Sequence, residues 1–486
     1  MSRKTIALLL LLTLGALLVH GYHPAVEDGE IYLPGIKKDL NPALYPFGDQ
    51  FFMSHARMTL FDELVAASIR ILHLPFDYAI FLWHLACIFG LLAGCWQVGR
   101  RCFDDPRAAW GGTALVAALL TIPVAGTSLY IMDQYLTTRD LSAAGIMLAI
   151  ANGIEGRFLR AVLWSVLVAV IHPLMAVFGI ALLAFVWVEE HRVGSAIPQR
   201  AAAQVGFLLP LRLSFDPVSN AYRQALETRS YFFLVRWEWY EWLGIFAPLA
   251  LLWCVARYAR QHGLRNVRAL SRALILYELV FFVAALVLSI PALADLTLLQ
   301  PMRSLHLVFI LLFVLLGGIA AQTVLKGHAW RWLLLFVPLC SVMFYVQRQL
   351  FPSTVHLELP GRASHNPWVQ SFEWIRTHTP QSAIFALDPN HMNLPGEDQH
   401  GFRAIAERSM LADAVKDSGA VTMFPTLADK WQEQVSAQTG WKNFHLEDFQ
   451  RLRRQYGVSW LVLQRPGIPG LACPYQNDAV VVCRVE

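Results

Sequence analysis

Four clusters of polar side chains have the types and spacing to do chemistry. The first follows the opening apolar run, where His23, Glu27, Asp28 and Glu30 fall within eight residues. The adjacent carboxylates Glu27 and Asp28 suit a general base acting on a hydroxyl. They equally suit oxygen ligation of a divalent metal ion, and a solvated acidic turn is the plainer alternative. The second cluster is Asp133 and Arg139 in MDQYLTTRD, which could also be an ordinary polar loop. The third is LLQPMRSLH, where Arg303 and His306 open an apolar run. A guanidinium there can bind a phosphate through paired N–H donors or lay its stem along apolar surface with its head in water. The fourth is His172, before Pro173 in AVIHPLMAV; an ionisable group so deep in apolar sequence is costly unless used, or it is a packed turn histidine. Cys473 and Cys483, ten residues apart near the end, could staple a terminal hairpin in an oxidising compartment or remain two buried thiols. The other five cysteines lie in or beside apolar runs and read as packing residues.

The elements that hold these groups follow from composition. Of 486 residues, 56% are hydrophobic and only 15% charged, against about 25% charged in a soluble chain. Charge is absent from stretches such as IALLLLLTLGALLV and crowds between such runs and in the last third. That asymmetry predicts a membrane part, residues 1–350, and a soluble part, residues 351–486. A net charge of +4 is too small to suggest a nucleic-acid partner. The basic start followed by an apolar core resembles a signal peptide, but no clear cleavage site follows, so it is expected to remain as a first span.

Eleven spans are expected, over about 5–20, 76–98, 109–130, 140–153, 158–171, 173–188, 203–213, 238–257, 272–290, 303–322 and 329–347. Several fall short of the ~20 residues a lone crossing helix needs. The basic clusters Arg3/Lys4, Arg100/Arg101/Arg107, Arg157/Arg160, Arg192/Arg200, Arg257–Arg272 and Lys326/Arg331 alternate with acidic or mixed loops. Basic loops stay inside, so the N-terminus is expected in the cytoplasm and the C-terminal part outside, the periplasm of a bacterium. Residues 203–213 are the weakest span, and the parity rests on them. The first outer loop, 21–75, should be irregular to about Gln50 and then form one surface helix over FFMSHARMTLFDELVAASIRIL. A second interfacial helix is expected in 214–237, followed by a Trp/Tyr belt in EWYEWLGIF.

The soluble part reads as α/β. WVQSFEWIRTHTP, RAIAERSMLADAVKDS and LEDFQRLRRQYG have helical patterns; SAIFALDP, VSWLVLQRP and DAVVVCRVE read as strands. Glu397, Asp398, Arg403 and Arg408 form a charged group that could face a partner or a lid. No P-loop, dinucleotide fingerprint, zinc-protease helix or hydrolase elbow is present. The spans do not divide into two similar halves, as many transporters do.

A basic N-terminus, one span, a long outer loop opening on Glu27–Asp28, interfacial helices, many short spans and an outer α/β domain together resemble the GT-C superfamily of polytopic glycosyltransferases. The resemblance implies transfer of a sugar from a polyprenyl-phosphate-linked donor to a lipid, glycan or protein acceptor at the inner membrane. It implies a catalytic role for Asp28, with Glu27 as helper or metal ligand. It further implies that Arg303, or else Arg139, holds the donor phosphate. HPAVEDGEIYLPGIKKDLNPALYPFGDQFF and GEDQHGFRAIAERSMLADAVKDSGAV also look like segments of a group of uncharacterised bacterial membrane proteins. Two other readings remain: a transporter or flippase for a lipid-linked sugar, with His172 and Glu278 on the path, and a non-catalytic assembly protein.

Overall fold

The side chain of Ser2 accepts from the backbone N–H of Thr5 and starts α1 (Arg3–His20). In this computed structural model, residues 1–194, 219–290, 293, 296 and 298–485 are described. The segment after α1 is not irregular: Gly29–Leu40 forms α2, despite Pro34 inside it. Burial of Tyr32, Leu33 and Ile36 on one face overrides the poor propensity of glycine and proline. The single surface helix expected next is two helices, α3 (Gln50–Ala56) and α4 (Phe61–Leu72). The break falls where the Leu60 N–H is donated to the carbonyl of Val170, 3.0 Å away, which anchors the turn to the bundle. Phe61, Val65 and Ile69 of α4 are buried while Leu64, Ile71 and Leu72 are exposed, as at a membrane surface.

The bundle continues with α5 (Phe76–Cys102), α6 (Pro106–Ala118), α7 (Thr138–Ile154), α8 (Phe158–Ile171) and α9 (Pro173–Gly194). It resumes after α10 (Asn220–Glu227) with α11 (Trp239–Gln261), α12 (Arg265–Leu288), α13 (Leu305–Ala320) and α14 (Ala329–Leu350). Among the described residues, seven helices are long and apolar enough to cross a membrane. With 13, 17 and 14 residues, α6, α7 and α8 are shorter, so eleven full crossings are not carried by the structure. Span 203–213 lies outside the described residues. The expected span 109–130 stops at Ala118; Pro123 cannot continue a helix, and residues 119–137 fold back as a loop in which Val124 bonds Leu129 at 2.8 Å. Within the bundle α6 and α13 touch backbone to backbone: a Cβ on Gly111 would lie 2.4 Å from the Gly317 carbonyl. Small residues permit such crossings in lipid. Arg101 pairs with Glu155 at 2.6 Å and Arg272 with Glu189 at 2.8 Å, at the bundle end opposite His20 and Arg303. Trp239 and Tyr240 are exposed at the start of α11, where an interfacial aromatic pair is expected.

The C-terminal part begins as α14 ends. It holds α15 (Pro367–His378), β1 (Ile384–Ala386), α16 (Phe402–Ala406), β2 (Ser409–Met410), α17 (Asp417–Met423), α18 (Ala428–Ala437), α19 (Leu446–Tyr456), β3 (Trp460–Gln464), β4 (Ala472–Gln476) and β5 (Val480–Arg484). The sheet order is β2-β1-β3-β5-β4, parallel around β1 and antiparallel around β5. The expected helix over RAIAERSMLADAVKDS is instead α16, β2 and the start of α17. Glu407 takes a left-handed conformation that ends α16, and Ser409–Met410 supply the edge partner that β1 needs. Cys473 and Cys483 are disulfide-bonded across β4 and β5.

This part is stitched to the first loop along its backbone. Tyr22 bonds the His356 carbonyl at 3.1 Å, Glu27 that of Gln399 at 2.9 Å, and the Gly401 N–H that of Ala25 at 2.8 Å. Glu397, Asp398, Arg403 and Arg408 are all buried, so they form no exposed partner surface. A Cβ on Gly401 would meet the Glu30 carboxylate at 2.2 Å and its Cα at 3.0 Å. Gly401→Ala is therefore expected to lower stability by about 1–3 kcal/mol through overpacking. Gly15→Ala, with nothing within 4 Å, should not lower it. Thermal unfolding of the two full-length variants checks this.

Candidate active site

A cavity of about 420 Å³ opens where the first loop, the 119–137 loop, the head of α13 and the C-terminal part meet. Glu27, Asp28, Asp133, Arg139, His172 and Arg303 all line it. Glu27 sits in the left-handed region at φ 52, which costs a non-glycine residue roughly 1 kcal/mol or more. The bond from its N–H to Gln399 helps to hold that turn. Asp28 directly precedes α2 and makes no side-chain cap to it; its N–H is donated to the Tyr135 hydroxyl at 3.4 Å. Lys416, immediately before α17, reaches across from the C-terminal part. Its ammonium lies 3.1 Å from Asp28 Oδ1 and in direct contact with Glu27 Oε2. Burial alone would raise the Asp28 carboxyl, but Lys416, and after it Arg139, outweigh burial and hold it well below the usual carboxylate range. Asp28 is therefore ionised, the form that can accept a proton.

The cavity also holds arginines. Arg139 is ion-paired with Asp133 at the head of α7, where a Thr137–Asp140 capping box fixes the turn. Arg303 lies over the Tyr231 ring, 5.5 Å from its centroid, with its Nε lacking a hydrogen-bond partner. Arg229 donates to the Val415 carbonyl and to Ser418 Oγ at 3.2 Å. Among the described residues neither Arg229 nor Arg303 pairs with a carboxylate. Two guanidiniums that line one cavity with no carboxylate bonded to either among the described residues suit a phosphate.

His23 and His306 do not line this cavity. His306 Nε2 lies 2.8 Å from the Ile131 carbonyl and supports the 119–137 loop. His23 Nδ1 lies 2.9 Å from Glu358, whose other oxygen is 3.2 Å from His400 Nε2, behind the loop–domain seam. The Lys416 ammonium contacts both Glu27 and Asp28, the pair considered for a metal ion. Among the described residues no group of three or more His, Cys, Asp or Glu side chains could hold one. Lys416, Arg229, Tyr231 and His55 are cavity residues that the sequence reading did not single out. Their only sequence signal is the density of charge in SMLADAVKDSGAV and the Arg and Tyr of ETRSYFF.

The His400–Glu358 contact sets a pH response. Burial works against a charged His400, yet the neighbouring Glu358 outweighs it and raises His400 from 6.5 to about 9. Burial likewise opposes charge on Glu358, but His400 and His23 lower it from 4.5 to about 2. A raised histidine contributes stability that is fully present below its unfolded value and lost as pH rises through its folded value. The seam should thus weaken as pH rises from 6.5 to about 9. Thermal midpoints across that window are expected to fall, and to fall less steeply in His400→Gln.

No family model matches the sequence, and no curated protein does. Solved structures do. The oligosaccharyltransferase of Archaeoglobus fulgidus in its apo form is similar at a TM-score of 0.51 and 11% identity, over 95% of this chain and 70% of that one. A second structure of an Archaeoglobus fulgidus oligosaccharyltransferase, with an inhibitory peptide and a dolichol-phosphate, gives a TM-score of 0.47 and 12% identity, over 95% of this chain and 69% of that one. At such identity the likeness is one of fold: the chain shares the polytopic fold of that apo oligosaccharyltransferase.

Proposed function

We propose that this chain is a membrane glycosyltransferase that moves a sugar from a polyprenyl-phosphate-linked donor to an acceptor hydroxyl. The observation that carries the reading is that Asp28 and Arg303 line one cavity. Asp28 takes the acceptor's proton as the acceptor oxygen bonds to the sugar's anomeric carbon. The bond from that carbon to the phosphate oxygen breaks on the opposite face, and its electrons leave with the phosphate. Configuration inverts. Arg303 and Arg229 receive the growing negative charge, and fixed donors aimed at developing charge are a large source of rate. Arg139, held by Asp133, adds positive potential. The fold likeness to an oligosaccharyltransferase supports the reaction class. The acceptor hydroxyl belongs to a lipid, glycan or protein.

The orientation follows the charge pattern. Among the described residues Arg101 and Arg272 lie at the bundle end away from Arg303, and that end faces the cytoplasm by the positive-inside rule. The N-terminus is then cytoplasmic, and the cavity and C-terminal part are periplasmic at a bacterial inner membrane.

Transfer from radiolabelled polyprenyl-phosphate sugars in membranes tests the roles. Asp28→Asn and Asp28→Ala are each expected to lower the rate by about 10²–10⁴-fold, the range for loss of a general base. Arg303→Lys should keep partial activity and Arg303→Ala very little, because a point charge replaces only part of a forked donor. Unchanged rates in both Asp28 variants would remove Asp28 from the mechanism.

A further inference from the structure

The Glu27–Asp28 pair meets a cation supplied by the protein itself. Lys416 Nζ is within 3.1 Å of Asp28 Oδ1 and touches Glu27 Oε2, and its side chain is 8% exposed. Two adjacent carboxylates at the mouth of a phosphate-sized cavity are the donor set a hard divalent ion would use, completing its shell with substrate phosphate oxygens and water. Lys416 fills that position with a single charge. Its backbone is fixed as well: Asp413 Oδ1 accepts from the N–H groups of Val415 at 2.8 Å and Lys416 at 2.5 Å. The lysine is thus placed by a turn before α17.

We propose that the Lys416 ammonium stands permanently in the place of a divalent metal ion, so that the C-terminal part completes the active site and the carboxylate pair works without added metal. This rests on the glycosyl-transfer reading above, in which Asp28 is the proton acceptor and Lys416 a positioning residue that acts through it. The physical case is one of charge. Two carboxylates and one ammonium leave a single negative charge. Arg139 and Arg229 also act on Asp28 and lower its proton affinity further. An incoming divalent ion would meet three cationic side chains and only partly free oxygens. Removing Lys416 exposes both carboxylates together.

The test is Mn²⁺ titration of the purified full-length protein in detergent, read by the electron paramagnetic resonance of free Mn²⁺, with no donor or acceptor present. It therefore fails or succeeds independently of the transfer reaction. Wild type and Lys416→Arg are expected to bind no Mn²⁺ that depends on Asp28. Lys416→Ala, and Lys416→Met as the variant that keeps the apolar stem, should bind Mn²⁺ at least about tenfold more tightly than wild type once the competing charge is gone. Adding Asp28→Asn to either should abolish the gain. Asp28-dependent binding of Mn²⁺ by wild type would overturn the proposal. So would the absence of binding in both lysine variants, because the pair would then have no cation to be replaced.

Discussion

Arg403 has a side chain only 1% exposed, and a guanidinium cut off from water must find carboxylates. It finds three. Asp417 accepts from both terminal nitrogens, at 3.0 and 2.7 Å, Glu30 lies 3.4 Å away and Asp413 3.8 Å. Glu30 also accepts from the backbone N–H groups of Arg403 and Ala404, at 3.0 and 2.9 Å, and so caps α16 from the first loop. This buried cluster locks α2, α16 and the start of α17 together. Losing one partner would strand charge without solvent, so the elements hold position as a unit. Glu30 is two residues beyond Asp28, and Asp417 follows Lys416 directly. The clamp therefore sets both sides of the Lys416–Asp28 contact from outside the cavity.

That arrangement has a chemical cost and a use. A carboxylate held by an ammonium stays ionised but is a weak base, whereas a good base has a proton affinity matched to its working pH. The cavity can correct this when it fills. A phosphate bound at Arg229 and Arg303 brings negative charge into the space Asp28 shares, and negative charge nearby raises a carboxyl's proton affinity. Asp28 would gain basicity only when the donor is seated. In the proposed reaction proton transfer would then be coupled to donor binding by charge.

The acidic pair was legible because it follows the first apolar run directly, and Arg303 because it opens another. The positions of α8, α9, α11 and α14 were legible for the same reason, since apolar runs bounded by basic residues leave little choice. The loop 119–137 was not. Its residues are apolar enough to read as span, and only the folded contacts show Pro123 turning the chain back. Helix α2 was hidden by its glycines and proline, whose low propensity is overridden by packing under the C-terminal part. Lys416 and the burial of Arg403 were hidden for a different reason: a charged residue in a short amphipathic segment looks solvated unless its partners are visible, and Asp28 and Glu30, which bring these two side chains to the first loop, lie 388 and 373 residues away. For the same reason Glu397, Asp398, Arg403 and Arg408 read as exposed when they are the seam itself.

One cavity is lined both by the acidic pair and by Arg303 and Arg229, the pair proposed to hold the donor phosphate. An electron cryomicroscopy map of the full chain with farnesyl phosphate tests that assignment most directly. Phosphate density is expected between Arg303 and Arg229, inside the cavity that Asp28 lines, with Lys416 still against the carboxylates. Phosphate density in the apolar groove between α8 and α9, or anywhere outside the cavity lined by Asp28, would contradict it.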